Sequence, residues 1–316
     1  SINTCQDLVN KAKRAILIIF RVLYKLDCTS FHIFAKLFDS QVQSVLQYGA
    51  EIWAFEKSDV IEKLHLFALK RFLNVDGRTP NDFVYGELGR YPIYLNSYVK
   101  CITYWLKLTR MNNSRLPYKA YMTLYNLDRN GKKTWASGIR KCLYTYGFGY
   151  VWENQGVENT TEFVKCFKQR IIDCRWQEWH EHLENSRRFA AYILFKSNNC
   201  VELYIKMAMN RYIKSALAKL RFGVSDIACH RFRYSGSKGE NIMCRLCYSS
   251  EENEIHFMFC CPSLHDLRIQ FLQPKYYNNT CRFRYNLLMS SKNESVLYNM
   301  ALYVYKALKR LHIVAA

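Results

Sequence analysis

No two aspartates are adjacent anywhere in this chain. Two-metal phosphoryl transfer needs clustered carboxylates, so the sequence offers no polymerase-type metal site. A glycine-rich phosphate loop is missing too. Gly86-x-x-Gly89 lacks the lysine that would reach a phosphate, and a turn explains it. No secretory leader is expected. Its apolar run Ala15–Phe20 stops at Arg21, too short to span a bilayer and wrongly flanked for a signal peptide. There is no internal repeat and no low-complexity tract, and strand signals are few. After His256 the only acidic residues are Asp266 and Glu294, too few and too far apart in sequence for a persuasive nuclease site.

What is present is positive charge. Lys and Arg number 46 against 26 Asp and Glu, a net charge of +20 over 316 residues. Such an excess concerns partners, and RNA or DNA is the natural polyanion. It is concentrated between 206 and 245, where Lys206, Arg211, Lys214, Lys219, Arg221, Arg231, Arg233, Lys238 and Arg245 face only Asp226 and Glu240. The length suggests two domains, or one with a satellite. Thirteen cysteines, an odd number, without a leader point to reduced thiols plus a metal site. The expected compartment is therefore intracellular, nuclear or cytoplasmic, not secreted, with no membrane partner.

Apolar spacing predicts a mainly α fold. Leu8, Ala12, Ile16, Ile19 and Leu23 recur at helical spacing. A second helix follows Ser30 and runs to Trp53, with a kink or a close helix crossing at Gly49. Ser58 caps a third, Thr79-Pro80 opens a short one, and a longer one covers about 91–110. Turn signals crowd 112–149, so a domain boundary is placed near 112–155. Helical pattern returns at 160–184, in the basic stretch Asn210–Gly223, and after Pro262.

One cluster organises the C-terminal third. Cys244, Cys247, His256 and Cys261 form C-x2-C-x8-H-x4-C. Three thiolates and an imidazole suit tetrahedral Zn2+, and a full donor set with no open position reads as structural. Cys260 is an alternative fourth ligand. A redox dithiol is the competing reading of Cys244-x-x-Cys247, but no βαβ pattern surrounds it.

Several segments, in order, resemble the C-terminal part of non-LTR retrotransposon (long interspersed element) reverse transcriptases: Leu37-Phe38-Asp39, Tyr48-Gly49-Ala50-Glu51-Ile52-Trp53, Tyr85-Gly86-Glu87-Leu88-Gly89-Arg90, Arg231-Phe232-Arg233-Tyr234-Ser235-Gly236, the zinc cluster with His256-Phe257-Met258-Phe259 and Cys261-Pro262, and Leu287 to Arg310. The resemblance implies a thumb-like helical region over 1–111 and a helical connector over 112–200. It further implies a basic helix, a zinc module (about 229–268) and C-terminal helices over 201–316. The family's aromatic-Ala-Asp-Asp signature would precede Ser1, so a piece of a longer polypeptide without catalysis of its own is expected.

The implied partners are RNA and/or DNA (element RNA, template–primer duplex or target DNA) and the palm and fingers of the parent enzyme. The nine cations between 206 and 245 are expected at phosphates, with Tyr234 beside them. Lys11, Lys13, Arg14, Lys70 and Arg71 would face a duplex. If 231–234 is extended, Arg231 and Arg233 share one side and Phe232 and Tyr234 the other. The alternative is a degenerate or domesticated protein-interaction module with a structural zinc knuckle.

Overall fold

The computed structural model of the protein describes residues 2–55, 59–235 and 242–315, and the regular structure is mainly helical. Among these residues the β pairing consists of two isolated bridges, Leu88 with Val201 and Met243 with Glu251. The chain divides into two compact units. One comprises Ser1–Leu26, Ile33–Leu66 and Tyr91–His180, the other Asp27–His32, Phe67–Arg90 and Glu181–Ala316. The segment 112–155 lies inside the first.

In the first unit the helix Ile2–Lys25 buries Leu8, Ala12, Ile16, Ile19 and Leu23, as their period predicts, and leaves Lys11, Lys13 and Arg14 exposed. The helix expected through Trp53 is broken rather than kinked. Phe38–Gln43 forms a wider π-type turn, and Gly49 takes a left-handed φ of 63° before the short helix Ala50–Trp53. Ser58 lies outside the described residues; the helix assigned to it covers Asp59–Leu73.

Turn signals in 112–149 are real, yet helices Leu116–Arg129 and Trp135–Thr145 stand between them. Pro117 occupies the first turn, where its missing N–H removes no helical bond. Thr134 and Ser137 form a capping box for the next helix. These helices and Ile93–Thr109 enclose a core around Trp105, Ile139, Leu143 and Phe167. Trp105 stacks on Trp152 at 5.7 Å and donates its indole N–H to Tyr121 Oη at 2.9 Å.

In the second unit, Asn210 caps the helix Arg211–Arg221 by accepting from Tyr212 N at 2.9 Å. This helix packs against the long helix Glu294–Ala315, which also holds His265–Phe271. Leu217, Leu220, Met300, Val304 and Leu311 are buried at these contacts. The helix Asn81–Leu88 ends at Gly89, whose φ is 56°. A Cβ there would come within 2.6 Å of Val201 N, so the glycine is explained by a turn and a close backbone approach. Among the described residues, no helix is long and apolar enough to cross a membrane.

Candidate metal centre and its basic surroundings

A tight hairpin presents the first two cysteines. Met243 bridges Glu251, Cys244 N donates to Ser250 O at 2.8 Å, and Tyr248 N returns to Cys244 O at 2.9 Å. Tyr248 closes the turn in the left-handed region, at φ 55°. The second pair comes from a different device. Between positions five apart an α-helix turns by about 140°, so His256 and Cys261 would point apart. Instead, His256–Cys260 winds as a π-turn, with Cys261 N bonded to His256 O at 2.8 Å. The wider turn carries Cys261 back over His256, a distortion that recurs at functional sites.

The four ligand atoms lie within 4.8 Å of one another. Cys244 Sγ is 3.8 Å from Cys261 Sγ, and Cys247 Sγ is 3.3 Å from His256 Nε2. A tetrahedron with zinc–ligand bonds of common length has S–S edges of about 3.8 Å and S–N edges of about 3.5 Å. The cluster can therefore hold a metal ion. Cys244, His256 and Cys261 are buried, and Cys260 is exposed outside the cluster, so of the two candidates for fourth ligand the geometry selects Cys261.

Electrostatics agree with that role. Burial pushes the Cys261 thiol up to about 12 and raises Cys244, so these sulfurs need a cation in place of their protons to ionise together. Burial, with Arg268 nearby, lowers His256 and favours its neutral ring. Ser250 Oγ sits 2.7 Å from His256 Nδ1, so with Nε2 serving a metal as ligand the Nδ1 proton would be held by Ser250.

Residues that sequence reasoning passed over hold the module to its unit. Glu252 is buried, accepts from Ala228 N and pairs with Arg245 at 2.9 Å. Arg268 donates to Cys261 O at 2.7 Å, and Tyr303 Oη to Phe257 O at 2.6 Å. A second cluster, Cys229, His230 and Glu254, also brings its donor atoms within 4.8 Å of one another. There His230 already bridges Ser225 at 2.7 Å and Glu254 at 3.1 Å, so it reads as a buried hydrogen-bond network. The adjacency Cys229-His230 was its only trace in the sequence.

The expected phosphate contacts divide. Lys206 is exposed, and Arg211 and Lys219 are half-buried. Two do not fit. Lys214 is buried, donating to Thr29 O and Ile205 O at 2.8 Å each, and burial lowers it to about 8. Arg221 is buried between Glu87 at 3.0 Å and Glu202 at 3.1 Å. Lys214 and Arg221, seven residues apart, fall within about 20° of one another on the helix, so packing that side buries both, while Arg211 and Lys219 lie further round. Arg245 is half-buried on Glu252 and Asp226, and Arg231 is exposed, 3.8 Å from Asp226.

The 231–234 segment is helical, within Ala228–Ser235, rather than extended. Positions two apart on a helix diverge by about 200°, so the alternation expected of an extended segment does not apply there. The side chains of Arg233 and Tyr234, and Lys238 as a whole, lie outside the described residues. Comparison with family models, curated proteins and solved structures finds no match to the chain.

Proposed function

We propose that this chain is the nucleic-acid-binding C-terminal part of a non-LTR retrotransposon reverse transcriptase, with structural zinc in the Cys244–Cys247–His256–Cys261 site and no catalysis of its own. The observation that carries the reading is the buried Cys3His cluster at tetrahedral spacing, in a chain of net charge +20 that keeps solvent-reachable cations. Soft thiolates with imidazole select zinc among common intracellular divalent ions, and Ca2+ and Mg2+ prefer oxygen. Lys206, Arg211, Lys219 and Arg231 remain as phosphate contacts for RNA or DNA.

The burial of Lys214 and Arg221 favours a second reading, a protein-interaction module whose zinc knuckle is a scaffold. Metal analysis of the purified chain, with structured-RNA and duplex-DNA titrations at two salt concentrations, separates the readings. One zinc per chain is expected, with duplex affinity falling against salt on a logarithmic slope of about −3 to −4, as four neutralised phosphates require. Zinc without binding even at low salt would select the scaffold; no zinc would remove the metal assignment.

A further inference from the structure

Away from the metal centre, the first unit carries an open groove of about 1040 Å³ along the helix Trp135–Thr145. Its size is at the upper limit for small-molecule pockets, which favours an elongated occupant. Trp135, Gly138, Lys141 and Thr145 recur every three or four residues, so one helix face about 15 Å long forms the floor. Phe55 and Tyr98 also line it, their rings 5.3 Å apart. Among the described residues the lining contains Lys133, Arg140 and Lys141 and no carboxylate. Arg140 is engaged by Asp128 at 2.9 Å, whereas Lys133 and Lys141 are exposed.

Two further details show a built surface. Gly138 stands in mid-helix, where glycine is less favourable than alanine. A Cβ there would meet the Phe55 ring at 2.7 Å, so the glycine admits Phe55 against the helix backbone. Trp135 is also held in place. Its indole N–H donates to Glu51 O at 2.9 Å, and Tyr104 and Tyr121 meet it edge-on. Aromatic faces fixed in advance, with cations beside them, match the chemistry of unpaired bases on a phosphodiester backbone. A duplex hides its base faces and has no use for such platforms.

We propose that this groove binds a single-stranded polynucleotide, its bases stacking on Phe55 and Trp135 and its phosphates on Lys133 and Lys141. The proposal rests on the nucleic-acid reading above but assigns a surface distinct from the metal module. The test uses the full chain, a short fluorescent oligothymidylate, the matching oligouridylate and a duplex at low salt. The exposed pair Lys133→Glu/Lys141→Glu should weaken single-strand binding about tenfold or more while leaving thermal stability and duplex binding unchanged. Arg211→Glu/Lys219→Glu should do the reverse. Photo-cross-linking of 5-iodouracil oligonucleotides to the unaltered chain should map to Phe55 or Trp135. Single-strand affinity unchanged by the Lys133/Lys141 pair, or cross-links confined to the second unit, would overturn the groove and leave the metal-module reading standing. A chain that binds neither strand nor duplex overturns both.

Discussion

Cys261 has no exposed surface while Cys260 lies open to solvent, because the π-turn aims only the second of the two thiols at Cys244. Neighbours in sequence should therefore respond oppositely. Cys261→Ser should abolish stoichiometric metal, and Cys260→Ser should leave it intact, read by metal analysis of the purified variants. Retention by the first or loss by the second would show that the sulfurs trade places. Ser250 makes a subtler case. Its hydroxyl lies 2.7 Å from His256 Nδ1, the nitrogen turned away from Cys247, where it can hold the proton of a ring that ligates through Nε2. Outer partners of this kind are worth about 10- to 100-fold in affinity. Ser250→Ala should lower metal affinity by that factor, with stoichiometry unchanged, in a competition against a chelator. The ligand pattern was legible in the sequence because Cys-x-x-Cys spacing directly encodes a turn. Ser250 and Glu252 were not, since which polar loop residue turns inward is decided by packing. The choice between Cys260 and Cys261 needed a π-turn that no residue pattern announces.

Among the elements, the helix Arg211–Arg221 shows how a basic amphipathic pattern can mislead. Its ends were readable: Asn210 caps it and Gly223, at φ 64°, ends it. Which cations would face water was not, because Arg221 finds Glu87 and Glu202 from segments more than a dozen residues distant in sequence, and pairing that remote leaves no periodic trace. The same limit hid the helices within 112–149, whose caps and turns look like loop when their buried partners are unknown. The Arg221 network should be a principal stability determinant. Removing one partner of a buried ion pair strands the other charge at a cost of about 3–5 kcal/mol. Arg221→Met should lose stability in that range in denaturant titrations; a change under about 1 kcal/mol would mean that water reaches Glu87. A pH signature accompanies it. Burial works to raise the Glu202 carboxyl, and Arg221 and Lys196 outweigh it, holding it below its usual 4.5. A depressed folded-state value adds stability that is present above 4.5 and lost as pH falls through the folded value. Glu202→Gln should remove that part of the acid transition, and an acid limb identical to the parent's would assign it elsewhere.

At the scale of the molecule, the metal should matter to one unit and not the other. The module around 229–268 is small, so ion binding adds folding free energy to it, about 10 kcal/mol or more in isolated zinc peptides. Here it is not isolated. Tyr303 and Arg310, on the C-terminal helix, reach Phe257 O and Ser263 O at 2.6 Å each, and Arg268 reaches Cys261 O. Losing the metal should therefore loosen the module and, through these bonds, the helix Glu294–Ala315 that also buttresses Arg211–Arg221. The core around Trp105 and Phe167 has no ligand in the site and should remain protected. Hydrogen exchange followed by mass spectrometry, with and without a strong chelator, reads both outcomes at once. Expected is deprotection of 242–271 together with part of 294–315, and unchanged protection of 93–109 and 135–145. Uniform protection after chelation would mean that the Glu252 and Arg268 hydrogen bonds suffice without metal. Uniform loss would mean that the two units fold as one cooperative structure, and the metal would then govern the whole chain.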